Sequence, residues 1–221
     1  MKCIGVKARI KISLGYRIGE FRMKIAIMQP YFLPYIGYFQ LIHAVDKFVV
    51  YDDVQYIKGG WINRNRVLIN GTDSIFTLSL KKDAHRLNIN QRLLSQKAAY
   101  DKRKLLKTIE IAYGKAPYYM PVKRLLEEIL KDEEQNLARF VTNSLRIICR
   151  YLDITTPFYY ASSIAKDEKL KGEERIIDIS KAMGAEHYIN PIGGVALYSK
   201  EKFLANDITL SFLKTKDVAK H

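Results

Sequence analysis

The chain has 221 residues, of which 48% are hydrophobic and 27% charged, and its formal net charge is +14. That apolar share excludes a disordered chain. No apolar run approaches the ~18 residues that a membrane helix needs, and two cysteines, Cys3 and Cys149, cannot build a disulfide scaffold. The length suits one domain with a sizeable core, or a domain with an appendage.

Residues 1–22 carry six Lys or Arg against Glu20. Lys7, Arg9, Lys11 and Arg17 interrupt any apolar stretch long enough for a secretory signal. Met23 follows, with a clean strand pattern directly after it. We therefore read 1–22 as a basic N-terminal extension outside the fold, either untranslated sequence upstream of the true start or a basic anchor. Residues 23–221 form the folded domain on this reading.

The domain opens with the apolar run Ile25 to Met28, ending at Gln29-Pro30. Short continuous apolar runs suit a buried parallel strand. Ile36, Phe39, Leu41, Ile42 and Val45 then recur at helical spacing, and Phe48 to Tyr51 reads as a second strand ending in Asp52-Asp53. Strand, helix, strand is the βαβ unit of an α/β fold. Arg66 to Ile69 and Ser74 to Leu80 flank Asn70-Gly71, a strong hairpin signal.

The stretch 81–107 holds nine Lys or Arg against Asp83 and Asp101. It reads as a solvated basic face, or as a surface for nucleic acid or anionic membrane. Helical patterns follow near 100–113, 119–132 and 134–152, with Leu125, Leu126, Ile129 and Leu130 at core-facing spacing. The last third returns to α/β rhythm. It has a short strand near Pro157 to Ala161 and a helix from Glu173 to Met183 closed by Gly184. The strand Tyr188 to Asn190 runs into Pro191-Ile192-Gly193-Gly194, and a helix to about Leu204 and a final strand at Ile208 to Leu213 complete the pattern. The predicted architecture is α/β and three-layer, a mostly parallel sheet with a β-hairpin insertion and a helical middle segment.

Ligands of open α/β sheets bind at the carboxyl ends of parallel strands. That rule selects Gln29 and Tyr31, then Asp52, Asp53 and Gln55, then Asn190, Gly193 and Gly194. Asp52 and Asp53 suit Mg²⁺ with substrate phosphates, sugar hydroxyls, or a solvated strand end. Adjacent residues on a strand point to opposite faces, so one of the two enters the site. In Trp61-Ile62-Asn63-Arg64-Asn65-Arg66, alternation puts Trp61, Asn63 and Asn65 on one face and Arg64 and Arg66 on the other. The arginines suit phosphate or carboxylate, or decorate an exposed hairpin arm. Gly193-Gly194 at a strand-to-helix junction suits an anion or a plain tight turn. Tyr31, Tyr35, Tyr38, Tyr51 and Tyr56 suit sugar stacking or a core rim. His43, His85, His187 and His221 lack zinc spacing, no nucleophile elbow or cysteine–histidine signature appears, and Cys149 reads as inert core.

Gln29-Pro30-Tyr31-Phe32-Leu33-Pro34-Tyr35-Ile36-Gly37-Tyr38-Phe39-Gln40-Leu41-Ile42, Tyr51 to Tyr56 and Gly60 to Arg66 resemble the WbqC-like protein family. Lys171-Gly172 through Ile177 and Tyr188 to Gly194 resemble its second signature. The resemblance covers residues 23–216. It implies a role in bacterial O-antigen and surface-polysaccharide clusters, a start near Met23, and a further short segment beyond the final strand that this chain lacks, so that the C-terminus reads as truncated. It transfers no catalytic residue. The opening also resembles, at fold level, the HIGH-type start of nucleotidylyltransferases, although Pro34 to Tyr38 supplies no histidine.

The function expected is a cytoplasmic transferase acting on an activated sugar or acyl donor. The alternative is a non-catalytic sugar-binding or scaffold protein of the same pathway. Asp52 and Asp53 take the catalytic role. Gln29, Tyr31, Gln55, Trp61, Asn63, Arg64, Asn65, Arg66, Asn190, Gly193 and Gly194 take the substrate. The partner is a sugar or nucleotide sugar and not a specific nucleic acid, with peripheral membrane contact left open. Asp53→Ala is expected to remove binding and leave stability intact.

Overall fold

The computed structural model describes residues 22–215. The expected extension over 1–22 lies outside these residues except for Arg22, and so does the ending Val218 to His221.

The opening unit is β1 (Lys24–Met28), α1 (Ile36–His43) and β2 (Lys47–Val50). β1 and β2 pair in parallel, from Ile25 opposite Lys47 to Met28 opposite Val50. The hairpin follows as β3 (Arg64–Ile69) and β4 (Thr72–Thr77). Ile69 pairs with Thr72, so Asn70-Gly71 is a two-residue turn. Both turn residues have positive φ, 49° and 78°, the type I′ combination whose twist matches that of the flanking strands.

Three helices come next, α2 (Ala98–Tyr113), α3 (Tyr119–Lys131) and α4 (Leu137–Tyr151). The Asn136 side chain caps α4 by accepting from the Arg139 backbone N–H. The chain finishes as β5 (Phe158–Tyr160), α5 (Gly172–Ala182), β6 (His187–Pro191), α6 (Lys200–Leu204) and β7 (Thr209–Leu213). Gly184, at φ 69°, takes the left-handed position just past α5.

The sheet order is β5-β2-β1-β6-β7, and every neighbouring pair is parallel. The chain builds outward from β1 through β2 to β5, then crosses back to place β6 on the other side of β1. The crevice between the ends of β1 and β6 is therefore the topological switch point.

Helices cover both faces, which is why β1 carries buried residues on each side. Ala26, Phe48 and Val50 meet Tyr38, Leu41 and Ile42 of α1 and Leu145 and Cys149 of α4. Ile25, Ile27 and Val49 meet Ile176 and Ile179 of α5 and Phe203 of α6. A separate apolar cluster joins the hairpin to the middle helices through Phe32, Ile62, Leu78, Leu105, Ile129, Phe140 and Val141. α4 belongs to both sets, so it fastens the helical segment to the sheet.

Candidate functional site

Asp52 and Asp53 diverge at the end of β2, as strand alternation requires. Asp52 is 3% exposed. Its Oδ1 accepts from the Ser162 backbone N–H at 3.0 Å and its Oδ2 from the Ser162 hydroxyl at 2.6 Å. Asn90 adds a donor at 3.4 Å. Asp52 thereby ties the turn after β5 to the end of β2. It borders a polar cavity of about 230 Å³ with Asn136, Arg139 and Tyr160.

Asp53 enters an ion cluster. Its Oδ2 lies 2.7 Å from Lys166 Nζ and 2.9 Å from Arg175 Nη2. Glu168 pairs with the same two cations at 3.2 and 3.0 Å. The Lys166 side chain is 1% exposed, and its ammonium also donates to the Ala161 carbonyl at 2.6 Å. Asp53 Oδ1 and Arg175 Nε are buried without a hydrogen-bond partner. Beside them, burial pushes the Tyr51 hydroxyl up to about 12 against the pull of Arg175.

This burial argues for a loss of stability in Asp53→Ala, because the carboxylate balances two enclosed cations. The residues also do not fit Mg²⁺. Both Asp52 oxygens accept from Ser162, and the engaged Asp53 oxygen faces two cations. Among the described residues, no three His, Cys, Asp or Glu side chains are grouped to hold a metal ion. Sequence reasoning missed Lys166 as a site residue. It lies in the run Lys166-Asp167-Glu168-Lys169, which looks like any solvated loop.

The Trp61 to Arg66 stretch divides its labour. Asn63 is buried, donates to the Leu78 carbonyl at 2.7 Å and accepts from the Tyr56 hydroxyl at 2.8 Å. Asn65 donates to the Leu33 carbonyl at 2.7 Å and the Phe32 carbonyl at 3.3 Å. It thereby holds the proline loop, where Leu33 has the left-handed φ of 49°. Arg66 is held by Asp73 at 2.6 Å on the exposed hairpin face. Of the two arginines, Arg64 faces a cleft. Its guanidinium stacks over Trp61 at 5.3 Å, and its Nε is buried without a partner. The expected pair of arginines is thus reduced to one.

That cleft has a volume of about 840 Å³ and brings Gln55, Asn63 and Arg64 together. Lys58, Arg64, Lys81, Lys82 and Arg92 line it against Asp83 alone. Arg92 packs over the Tyr56 ring at 5.1 Å. It donates to the Ala84 carbonyl at 3.2 Å and the Lys81 carbonyl at 3.4 Å, which folds the 81–84 loop into a wall. Concave surfaces lined by one sign of charge focus the field on an oppositely charged ligand. The basic stretch 81–107 therefore splits. Its first part lines the cleft, and Arg103, Lys104 and Lys107 lie exposed on α2.

The switch point holds the remaining candidates. The Gln29 carbonyl accepts from the buried Tyr38 hydroxyl at 2.8 Å. Tyr31 packs on Tyr38 with centroids 5.9 Å apart, and burial, with Tyr35 nearby, raises its hydroxyl above the ordinary value. Asn190 is buried at the end of β6. Gly193 and Gly194 sit in the 3-10 turn Ile192–Leu197, and α6 begins only at Lys200. β6 thus runs directly into a 3-10 helix at the glycines, and the α-helix expected there starts later. A Cβ at Gly194 would lie 2.4 Å from Asn190 Nδ2, so a side chain here would need Asn190 to shift. Gly193 is exposed, with open space at its Cβ position.

His43 is exposed on α1, and Cys149 is buried with its thiol pushed up to about 12. Among the described residues, no helix is long and apolar enough to cross a membrane.

The WbqC-like protein family model matches residues 29–220. A Mycobacterium tuberculosis (strain ATCC 25618 / H37Rv) protein, "Uncharacterized protein Rv1507c", is 30% identical over 173 residues, covering 76% of this chain and 71% of that protein. No solved structure gives a significant match. With its signature stretches assembled around the β1, β2 and β6 ends and the basic cleft, the chain belongs to the WbqC-like protein family.

Proposed function

We propose that the protein is a transferase acting on an activated sugar or acyl donor in bacterial surface-polysaccharide (O-antigen) biosynthesis, working in the cytoplasm. The observation that carries this reading is the cleft of about 840 Å³, with five Lys or Arg side chains against one Asp. Such a lining favours the phosphate groups of a nucleotide sugar. Arg64, oriented by its stacking on Trp61, takes the phosphate. Gln55, exposed at the rim, takes a sugar hydroxyl. Asn63 supports the wall through Tyr56 and Leu78 and does not meet the donor directly.

Calorimetric titration with a nucleotide-sugar panel tests the assignment. A hydrogen bond to a charged group contributes about 1.5–3 kcal/mol, so Arg64→Ala should bind about 10- to 100-fold more weakly. Arg66→Ala, already engaged by Asp73, should bind like the parent. Equal binding by Arg64→Ala and the parent removes the cleft as the donor site.

A second reading has its own observation. Asp52 and Asp53 are both engaged by the protein's own donors, which favours a non-catalytic sugar-binding or scaffold role. Steady turnover of a nucleotide sugar by the purified chain excludes it.

A further inference from the structure

The end of α2, the turn after it and the start of α3 carry large apolar side chains into solvent. Ile111 is 70% exposed and Tyr118 75% exposed, and Met120 and Val122 at the start of α3 are exposed as well. The inward faces of the same helices are filled by Leu105 and Ile109 of α2 and Leu126 and Ile129 of α3. The outward residues are therefore surplus to core packing. Large apolar side chains left in solvent close together along the chain suit an interaction surface. It is also held in place, because the Tyr113 hydroxyl accepts from the Leu68 backbone N–H at 3.0 Å and pins the end of α2 to the hairpin.

Charge identifies the partner. Between residues 104 and 124 the chain has Lys104, Lys107, Lys115, Lys123 and Arg124 against Glu110 alone. Glu110 is engaged by Lys123 at 3.3 Å. Lys107, Lys115 and Arg124 are exposed, and among the described residues none of them pairs with a carboxylate. A second copy of the chain would bring the same surplus of cations face to face, which like-charge repulsion opposes. An anionic lipid surface offers both things this patch lacks, an apolar layer and phosphate charge.

We propose that the α2–α3 tip docks on an anionic bilayer. Ile111, Tyr118 and Met120 enter the boundary between headgroups and acyl chains. Lys107, Lys115 and Arg124 meet the lipid phosphates. Tyrosine suits this depth because its ring is apolar and its hydroxyl reaches water. The protein then lies on the membrane surface through a tip and inserts no helix.

Co-sedimentation of the full chain with phosphatidylglycerol or phosphatidylcholine vesicles tests this. The expected result is binding to phosphatidylglycerol vesicles that weakens with salt, and little binding to phosphatidylcholine. Each of Lys107→Gln and Lys115→Gln should lower the partition coefficient about fivefold. Ile111→Ser/Tyr118→Ser should abolish binding. These are surface changes, so thermal stability and nucleotide-sugar binding should match the parent, which keeps this test independent of the donor cleft. Absence of binding to phosphatidylglycerol at low salt overturns the proposal. Undiminished binding by the tip variants does so too, since it moves the contact elsewhere on the chain. Concentration-dependent dimerisation that Ile111→Ser removes assigns the patch to a second copy, and tip-dependent retention on an acidic protein without vesicle binding assigns it to such a partner. Either outcome also overturns the proposal.

Discussion

Replacing Asp53 with alanine removes a carboxylate 2.7 Å from Lys166 and 2.9 Å from Arg175. Lys166 is then stranded, because its side chain is 1% exposed. Glu168 remains 3.2 Å away, but it is 70% exposed, so water screens much of its charge. The Ala161 carbonyl still accepts from the ammonium at 2.6 Å. Breaking a buried pair by removing one partner costs about 3–5 kcal/mol, and the remaining acceptors put this case near about 3 kcal/mol. For a chain of this length the loss corresponds to a Tm lower by about 6–12 °C. Urea unfolding followed by circular dichroism measures it. The double variant Asp53→Ala/Lys166→Met removes the stranded charge and should regain stability over the single variant. A single variant within about 0.5 kcal/mol of the parent, or a double variant less stable than the single, would refute the reasoning.

Three further outcomes follow from the same geometry. Gly194→Ala places a methyl 2.4 Å from Asn190 Nδ2. Asn190 is buried, so the overpacking should cost about 1–3 kcal/mol in chemical unfolding; an unchanged midpoint would show that Asn190 yields freely. Burial, with Lys24 and Arg22 nearby, holds the His187 imidazole below its ordinary 6.5. The unfolded chain therefore takes up this proton first, so stability is present above about 6.5 and is lost as pH falls through the folded-state value. Thermal scans from neutral to acid pH should show this slope in the parent and not in His187→Gln, and identical slopes would remove His187 as its source. The Cys149 thiol, pushed up to about 12 by burial, should resist iodoacetamide in the folded protein and react in urea. Peptide mass mapping that finds rapid native labelling of Cys149 would contradict its burial.

Much of the fold is written in short-range pattern. The runs Ile25 to Met28 and Phe48 to Tyr51, the helical spacing between them, and Asn70-Gly71 each encode an element through neighbours two to four residues apart. β1, β2, α1 and the type I′ turn lie where those patterns put them. The middle helices and Gly184 beyond α5 follow for the same reason. The site was only partly legible. Gln55, Asn63 and Arg64 do meet at one cleft. Alternation placed Arg64 and Arg66 on a shared face, but it carried no information that Asp73 across the hairpin would hold Arg66.

The sequence by itself determined the α/β class, the opening βαβ unit, the hairpin and the basic segment, because strand period, helix period and turn chemistry act locally. Only the tertiary structure decided that β6 returns beside β1. It alone brought Arg175 to Asp53 across 122 residues of chain, engaged Asn65 on the proline loop, and curled the start of the basic stretch into a cleft wall. The physical reason is that a charged or amide side chain has many acceptable partners. Which one it meets depends on where distant segments pack, and no local period records that.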